Sequence, residues 1–163
     1  MKTTLDELDY RILAQLQQNA DISNQDLAQI VHASAPTCLR RVRQLKQCGV
    51  IQHTVAVLDW SRVGASLTAV IEVSLDNQSA EALAAFEALV TPETAVLQCY
   101  RVSPGPDFIL IMEVEDMPAY HLLAHRLFAS TANVRNVRSY FSTHRAKFQP
   151  SRCWQRVANS PKD

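Results

Sequence analysis

Glycine is scarce in this chain: three in 163 residues, Gly49, Gly64 and Gly105. So few cannot build a glycine-rich phosphate cradle, and each is expected at a junction between elements. Four cysteines are present (Cys38, Cys48, Cys99, Cys153), but no two form a CxxC pair. That leaves neither the usual spacing of a structural zinc site nor a redox dithiol motif, and the thiols read as reduced. No run approaches the roughly 18–20 apolar residues of a membrane span. The opening MKTTLDELDY has no apolar signal core, so a cytoplasmic protein without membrane contact is expected. Net charge is lacking as well: 16 Lys plus Arg balance 16 Asp plus Glu. A neutral chain has no overall attraction to nucleic acid, so only the distribution of its charges can supply one.

That distribution is uneven. Residues 34–49, SAPTCLRRVRQLKQCG, hold Arg40, Arg41, Arg43 and Lys46 and no acid. Residues 135–163 hold seven more Lys or Arg against Asp163, whereas the middle is acidic, from Glu72 to Asp116. The first segment, with Leu5, Leu8, Ile12, Leu13 and Leu16 at helical spacing, predicts a helix over about residues 6–19. Ser23 with Asp26 three residues on, ahead of Leu27, Ile30 and Val31, predicts a second, short helix. Ser34 is a good N-cap for a third, with Pro36 in its first turn and Gly49 just past its end. Leu39, Val42 and Leu45 are expected to face inward, leaving Arg40, Arg41, Arg43 and Lys46 on the flanks and outer face. The second and third helices then make a helix-turn-helix, which presents the N-terminal end of its second helix to base edges in the major groove. Ser34, Pro36 and Thr37 lie at that end, so the expected DNA-binding set is Ser34, Pro36, Thr37, Arg40, Arg41, Arg43 and Lys46. Four neutralised phosphates per protomer would give log affinity a slope of about −3.6 against log salt.

After Gly49, VIQHTVAVLDW alternates with β-branched residues and suggests a strand or wing, and DWSRVGAS (59–66) reads as a hinge. The second half alternates strand and helix patterns: strand 66–75, helix 79–90, strands 94–103 and 107–115 joined by a Pro-Gly-Pro turn, helix 118–131, and a long strand 133–148. The order β-α-β-β-α-β is the ferredoxin-like pattern. The fold class expected is therefore α+β, an N-terminal winged helix-turn-helix joined to a ferredoxin-like βαββαβ domain. Helices on one sheet face leave the other open, yet apolar runs such as FILIM call for cover, most simply by a second copy in a symmetric homodimer. Two reading heads would then read a pseudo-palindromic site on double-stranded DNA.

With LDELDYRILAQLQQNADISNQDLA, SAPTCLRRVRQLKQCGVI, LQCYRVS followed by DF, and VRSYF, in that order, the chain resembles the Lrp/AsnC (leucine-responsive, feast/famine) family of transcription regulators. The resemblance runs from Leu5 to about Lys147. It implies a DNA-binding domain over 1–58, a linker over 59–66, a ligand-sensing and oligomerising RAM domain over 67–148, and a basic tail over 149–163. It also implies dimers that assemble further, commonly to octamers, and an amino-acid effector. The effector site so implied comprises Ser103, Pro104, Gly105, Pro106 and Asp107 with Ala132, Asn133 and Val134. That loop departs from the family's Ser-Gly-acidic-x-Asp: here it reads Ser-Pro-Gly-Pro-Asp, which removes an acid and two backbone N–H donors. Asp107 remains to accept from an ammonium. Val137 stands where a Thr is common, and His32 stands where the turn usually has Gly.

No enzyme, cofactor or metal is expected. His121 and His125 are four apart, but no Glu follows His121 and no third ligand is evident. Nothing resembles a nucleophile elbow. Tyr100, Phe108, Tyr140 and Phe141 read as sheet core or dimer contacts, and Cys38 as a small packing residue. Two alternatives share the architecture. One is an enzyme resembling the siroheme decarboxylases, which would use His121, His125 and Arg101 on a tetrapyrrole. The other is a weakly specific architectural DNA-binding protein.

Overall fold

A computed structural model describes residues 4–64, 67–131 and 133–149. The chain divides into two compact units, one of residues up to Val57 together with the segment from Lys147, the other Leu58–Ala146.

The first unit is three helices: α1 (Glu7–Gln18), α2 (Asn24–Ile30) and α3 (Ala35–Gln47). Each starts on a side-chain cap. Asp6 and Asp9 exchange bonds across the start of α1: the Asp9 N–H donates to Asp6 Oδ1 (2.9 Å) and the Asp6 N–H to Asp9 Oδ2 (3.1 Å). Ser23 caps α2 and Ser34 caps α3. Ile12, Leu13, Leu27, Ala28, Val31, Cys38 and Leu45 form the core. Leu39, expected inside, is 41% exposed, and Cys38 is fully buried in its place. The reason is angular: Cys38, Val42 and Leu45 (i, i+4, i+7) lie along one stripe of a 3.6-residue helix, and Leu39 falls off its edge.

The turn between α2 and α3 is closed by two bonds, His32 N–H to Gln29 O and Ala33 N–H to Ala28 O. This is the Schellman pattern, whose pivot residue takes the left-handed conformation. His32 does so, at φ 52°.

Beyond Gly49 the expected wing strand is not found: residues 52–59 carry no regular structure, with Val55 and Val57 exposed. A strand needs a ladder partner, and no strand of this unit is available to it among the described residues. Within the expected hinge, Trp60–Val63 forms a four-residue helix, α4; residues 65 and 66 lie outside the described residues.

The second unit carries β1 (Leu67–Leu75), α5 (Ala80–Val90), β2 (Val96–Arg101), β3 (Phe108–Val114), α6 (Met117–Ala124) and β4 (Val134–Phe141). The sheet order is β2-β3-β1-β4, antiparallel throughout. β1 and β3 alternate strictly, so Ala69, Ile71, Val73 and Leu75 with Phe108, Leu110 and Met112 face the helices. Phe86 and Val90 of α5 and Tyr120 and Leu123 of α6 cover them. Val90 rather than Leu89 is the inward residue at the end of α5.

Two elements are shorter than the pattern suggests. β4 ends at Phe141, the last residue paired with β1: Ala69 pairs Phe141, and the Ser142 N–H bond to Thr68 O is the last rung. The α-helical part of α6 ends at Ala124, and a π-helical turn follows over His125–Ala129.

The opposite sheet face carries Thr68, Val70 and Glu72 on β1 and Ile109, Ile111 and Glu113 on β3. In register beside them lie Tyr100 on β2 and Tyr140 on β4, each 51% exposed. No helix of the described residues is long and apolar enough to cross a membrane.

Candidate nucleic-acid interface and effector cleft

The N-terminal end of α3 is built by small hydroxyls. Ser34 Oγ lies 2.8 Å from Thr37 Oγ1 and accepts the Thr37 N–H. Asn24 Nδ2 donates to Ala35 O (2.8 Å), fixing the start of α3 against α2. Ser34 and Pro36 are exposed and Thr37 is half-buried.

Three of the four cations, Arg40, Arg43 and Lys46, are exposed, and no ion pair engages them among the described residues. Arg41 differs from the expectation that put it on the outer face. Its guanidinium turns toward α1, 2.7 Å from Asp6 and 3.2 Å from Asp9, whose side chain is 7% exposed. A buried carboxylate needs a cation, and Arg41 supplies it. The Asp9 N–H, reinforced by Arg41, holds the Asp6 carboxyl below the usual aspartate range.

In the second unit the ends of β1 and β2 and the starts of β3 and β4 share one end of the sheet, as the antiparallel order requires. The loop 102–107 closes with Val102 N–H on Asp107 O, contains a cis Ser103–Pro104 bond, and turns at Gly105, φ 122°. Ser103, Pro104 and Gly105 are exposed and Pro106 half-buried. One oxygen of Asp107, expected to face an ammonium, is committed to the backbone: Oδ2 accepts the Leu75 N–H at 2.7 Å. Asn133 is clamped to the turn after β1. Its Oδ1 accepts the Asn77 N–H (2.8 Å) and its Nδ2 donates to Asn77 O (3.1 Å). Val134 packs against the sheet core, and Ala132 lies outside the described residues.

Beside these groups is a cleft of about 420 Å³ lined by Leu75, Asn77, Ala82, Ala85, Phe86, Thr131 and Asn133. Of the residues expected at an effector site, Asn133 alone lines it; Asp107 meets it through Leu75. The other lining residues were missed from sequence, although the β1–α5 turn and the first turns of α5 had to fall at this end of the sheet. Arg101, considered for an enzyme site, is held by Glu87 at 2.8 Å. His121 and His125 are exposed on the far surface of α6 and its π turn. Among the described residues no group of three or more metal-ligating side chains occurs.

Comparison with known proteins fits both units. Residues 5–52 match the profile for winged helix-turn-helix DNA-binding domains, and residues 68–151 that for the Lrp/AsnC ligand-binding domain. The second match alone spans more than half of the chain. This protein belongs to the Lrp/AsnC family. It is a DNA-binding transcription regulator with a ligand-binding domain. It is 35% identical to the leucine-responsive regulatory protein of Rhizobium meliloti, over 90% of this chain and 94% of the relative. It is 31% identical to the DNA-binding transcriptional activator DecR of Escherichia coli, over 90% and 97%. Among solved structures, this Lrp/AsnC regulator superposes on an AsnC-family regulator from Agrobacterium tumefaciens with a TM-score of 0.81 at 31% identity, covering 90% and 95% of the two chains. It also superposes on a Neisseria meningitidis regulator in complex with L-Met, with a TM-score of 0.80 at 32% identity, covering 91% and 96%.

Proposed function

We propose that this regulator binds a pseudo-palindromic operator as a homodimer, or a higher assembly of dimers, and that a free amino acid alters its assembly or DNA affinity. The observation that carries the reading is the composition of α3. Its N-terminal end exposes Ser34 and Pro36, with Thr37 beside them, and its outer face exposes Arg40, Arg43 and Lys46 while Arg41 ties the helix to α1. Base-edge donors at the start and phosphate-binding cations along the flank are what a major-groove helix needs. Dimerisation is supported by the open sheet face, where Val70, Ile109 and Ile111 lie between Tyr100 and Tyr140. An amino-acid effector is supported by the neutral cleft beside Asn133 and by the L-Met complex of the Neisseria relative.

The test is selection from random-sequence duplex DNA at near-physiological salt, with and without the twenty amino acids. Recovery of an inverted repeat whose half-sites lie about one helical turn apart is the expected result. Absence of any enriched motif in both conditions would overturn the sequence-specific reading.

A further inference from the structure

We infer that Leu39 reads the C5-methyl of a thymine in the major groove, with Pro36 beside it, so that an apolar contact supplies part of this regulator's sequence preference. This rests on the sequence-specific reading above and names a residue and the base group that it selects.

Leu39 is an apolar side chain left out of the core. It is 41% exposed and no member of the cluster that holds Ile12, Cys38 and Leu45. With Cys38, Val42 and Leu45 turned inward, Pro36, Leu39, Arg40 and Arg43 fall on the remaining face of α3. Spacings of three and four make neighbours of Pro36 and Leu39, of Pro36 and Arg40, and of Leu39 and Arg43. All four are exposed. Charge decides what that face meets. Residues 34–49 hold no acid, and Arg40, Arg43 and Lys46 enter no ion pair among the described residues, so the face suits a polyanion. Leu39 opens the second turn of α3, within the N-terminal part of a reading helix that approaches base edges. The polar groups at that end are partly taken up. Ser34 Oγ and Thr37 Oγ1 lie 2.8 Å apart, so one hydroxyl proton is held between them, Ser34 Oγ also accepts the Thr37 N–H, and Pro36 has no N–H to give. Of the four bases, only thymine carries an apolar group on its major-groove edge. Against any other edge the leucine would displace water from a donor or acceptor and return no bond. Against the methyl both surfaces leave water, and burying one methyl is worth about fourfold in affinity.

The test takes the operator recovered by selection and replaces each thymine of one half-site in turn by uracil, which keeps the base pair and lacks only the methyl. Affinities of the full-length protein and of Leu39→Ala are read by fluorescence anisotropy at near-physiological salt. Alanine suits an exposed helical position, far-UV circular dichroism checks that the variant folds, and Leu39→Gln serves in its place if it does not. The unaltered protein is expected to bind at least one uracil duplex about fourfold more weakly than the thymine operator. In Leu39→Ala that penalty should fall below twofold. Three results would overturn the assignment of Leu39 while the sequence-specific reading stands: half-sites without a fixed thymine, a penalty below twofold at every thymine, or a penalty that stays at twofold or more in the variant, as altered duplex stiffness rather than contact would give. If selection recovers no motif, the sequence-specific reading itself falls, and this inference with it.

Discussion

At the scale of single residues, His32 carries the clearest physical consequence. The Schellman turn fixes the backbone, and an L-residue with a Cβ is strained at φ 52°. His32→Gly is therefore expected to stabilise the DNA-binding unit by about 0.5–1 kcal/mol, read as a higher urea midpoint, because relief of that strain outweighs glycine's extra entropy in the unfolded chain. Unease about His32 was available from the sequence, since the family resemblance puts Gly there; its φ was not. Asp6 gives the pH dependence. Its folded carboxyl is depressed, first by the Asp9 N–H and then by Arg41. Its contribution is thus fully present above the ordinary aspartate range and is lost as pH falls through the lowered value. Melts recorded from neutral pH down to pH about 2 should show this loss, and Asp6→Asn, which still caps but carries no charge, should flatten that part of the curve.

At the scale of elements, α3 separates what patterning reveals from what it hides. Its existence, Ser34 cap and end near Gly49 follow from local rules that need no tertiary information. The role of Arg41 does not, because it is set by a carboxylate 32 residues earlier in the chain. Alanine substitutions should therefore divide the arginines. Arg40→Ala and Arg43→Ala should each reduce the salt slope of DNA binding by about 0.9 with little effect on stability. Arg41→Ala should destabilise the unit by about 2–3 kcal/mol, since it strands the buried Asp9. With Arg41 occupied, three helix cations remain, and the slope expected per protomer falls from about −3.6 to about −2.7. Titrating DNA affinity from low to moderate salt measures all of these. The strands of the second unit were legible as apolar segments set between helical ones and turns, but their ends were not. β4 stops at Phe141, opposite Ala69, and where pairing ends is a property of the pair rather than of either segment. Residues 52–59 of the winged domain form no regular strand for a related reason: alternation in VIQHTVAV describes a surface suited to pairing, and pairing needs a second strand.

At the scale of the whole molecule, the βαββαβ order was readable because strand and helix periods alternate along the chain. The open sheet face followed from that order. The cleft did not, since its lining comes from β1, α5 and the segment before β4, brought together only by folding. If a second copy covers the open face, Ile111→Lys should halve the mass measured by light scattering at micromolar protein while leaving far-UV circular dichroism unchanged. A lysine ammonium has no partner in a closed apolar interface, whereas in a monomer it remains in water.

The two hydrophobic cores have no residue in common: one runs from Ile12 to Leu45, the other from Ala69 to Phe128. A substitution at a buried residue of one core removes no buried member of the other. For a lineage of such regulators this separates two kinds of heritable change. Variants that shift what the reading helix prefers and variants that reshape the cleft under α5 can arise, spread and recombine without each having to compensate for the other.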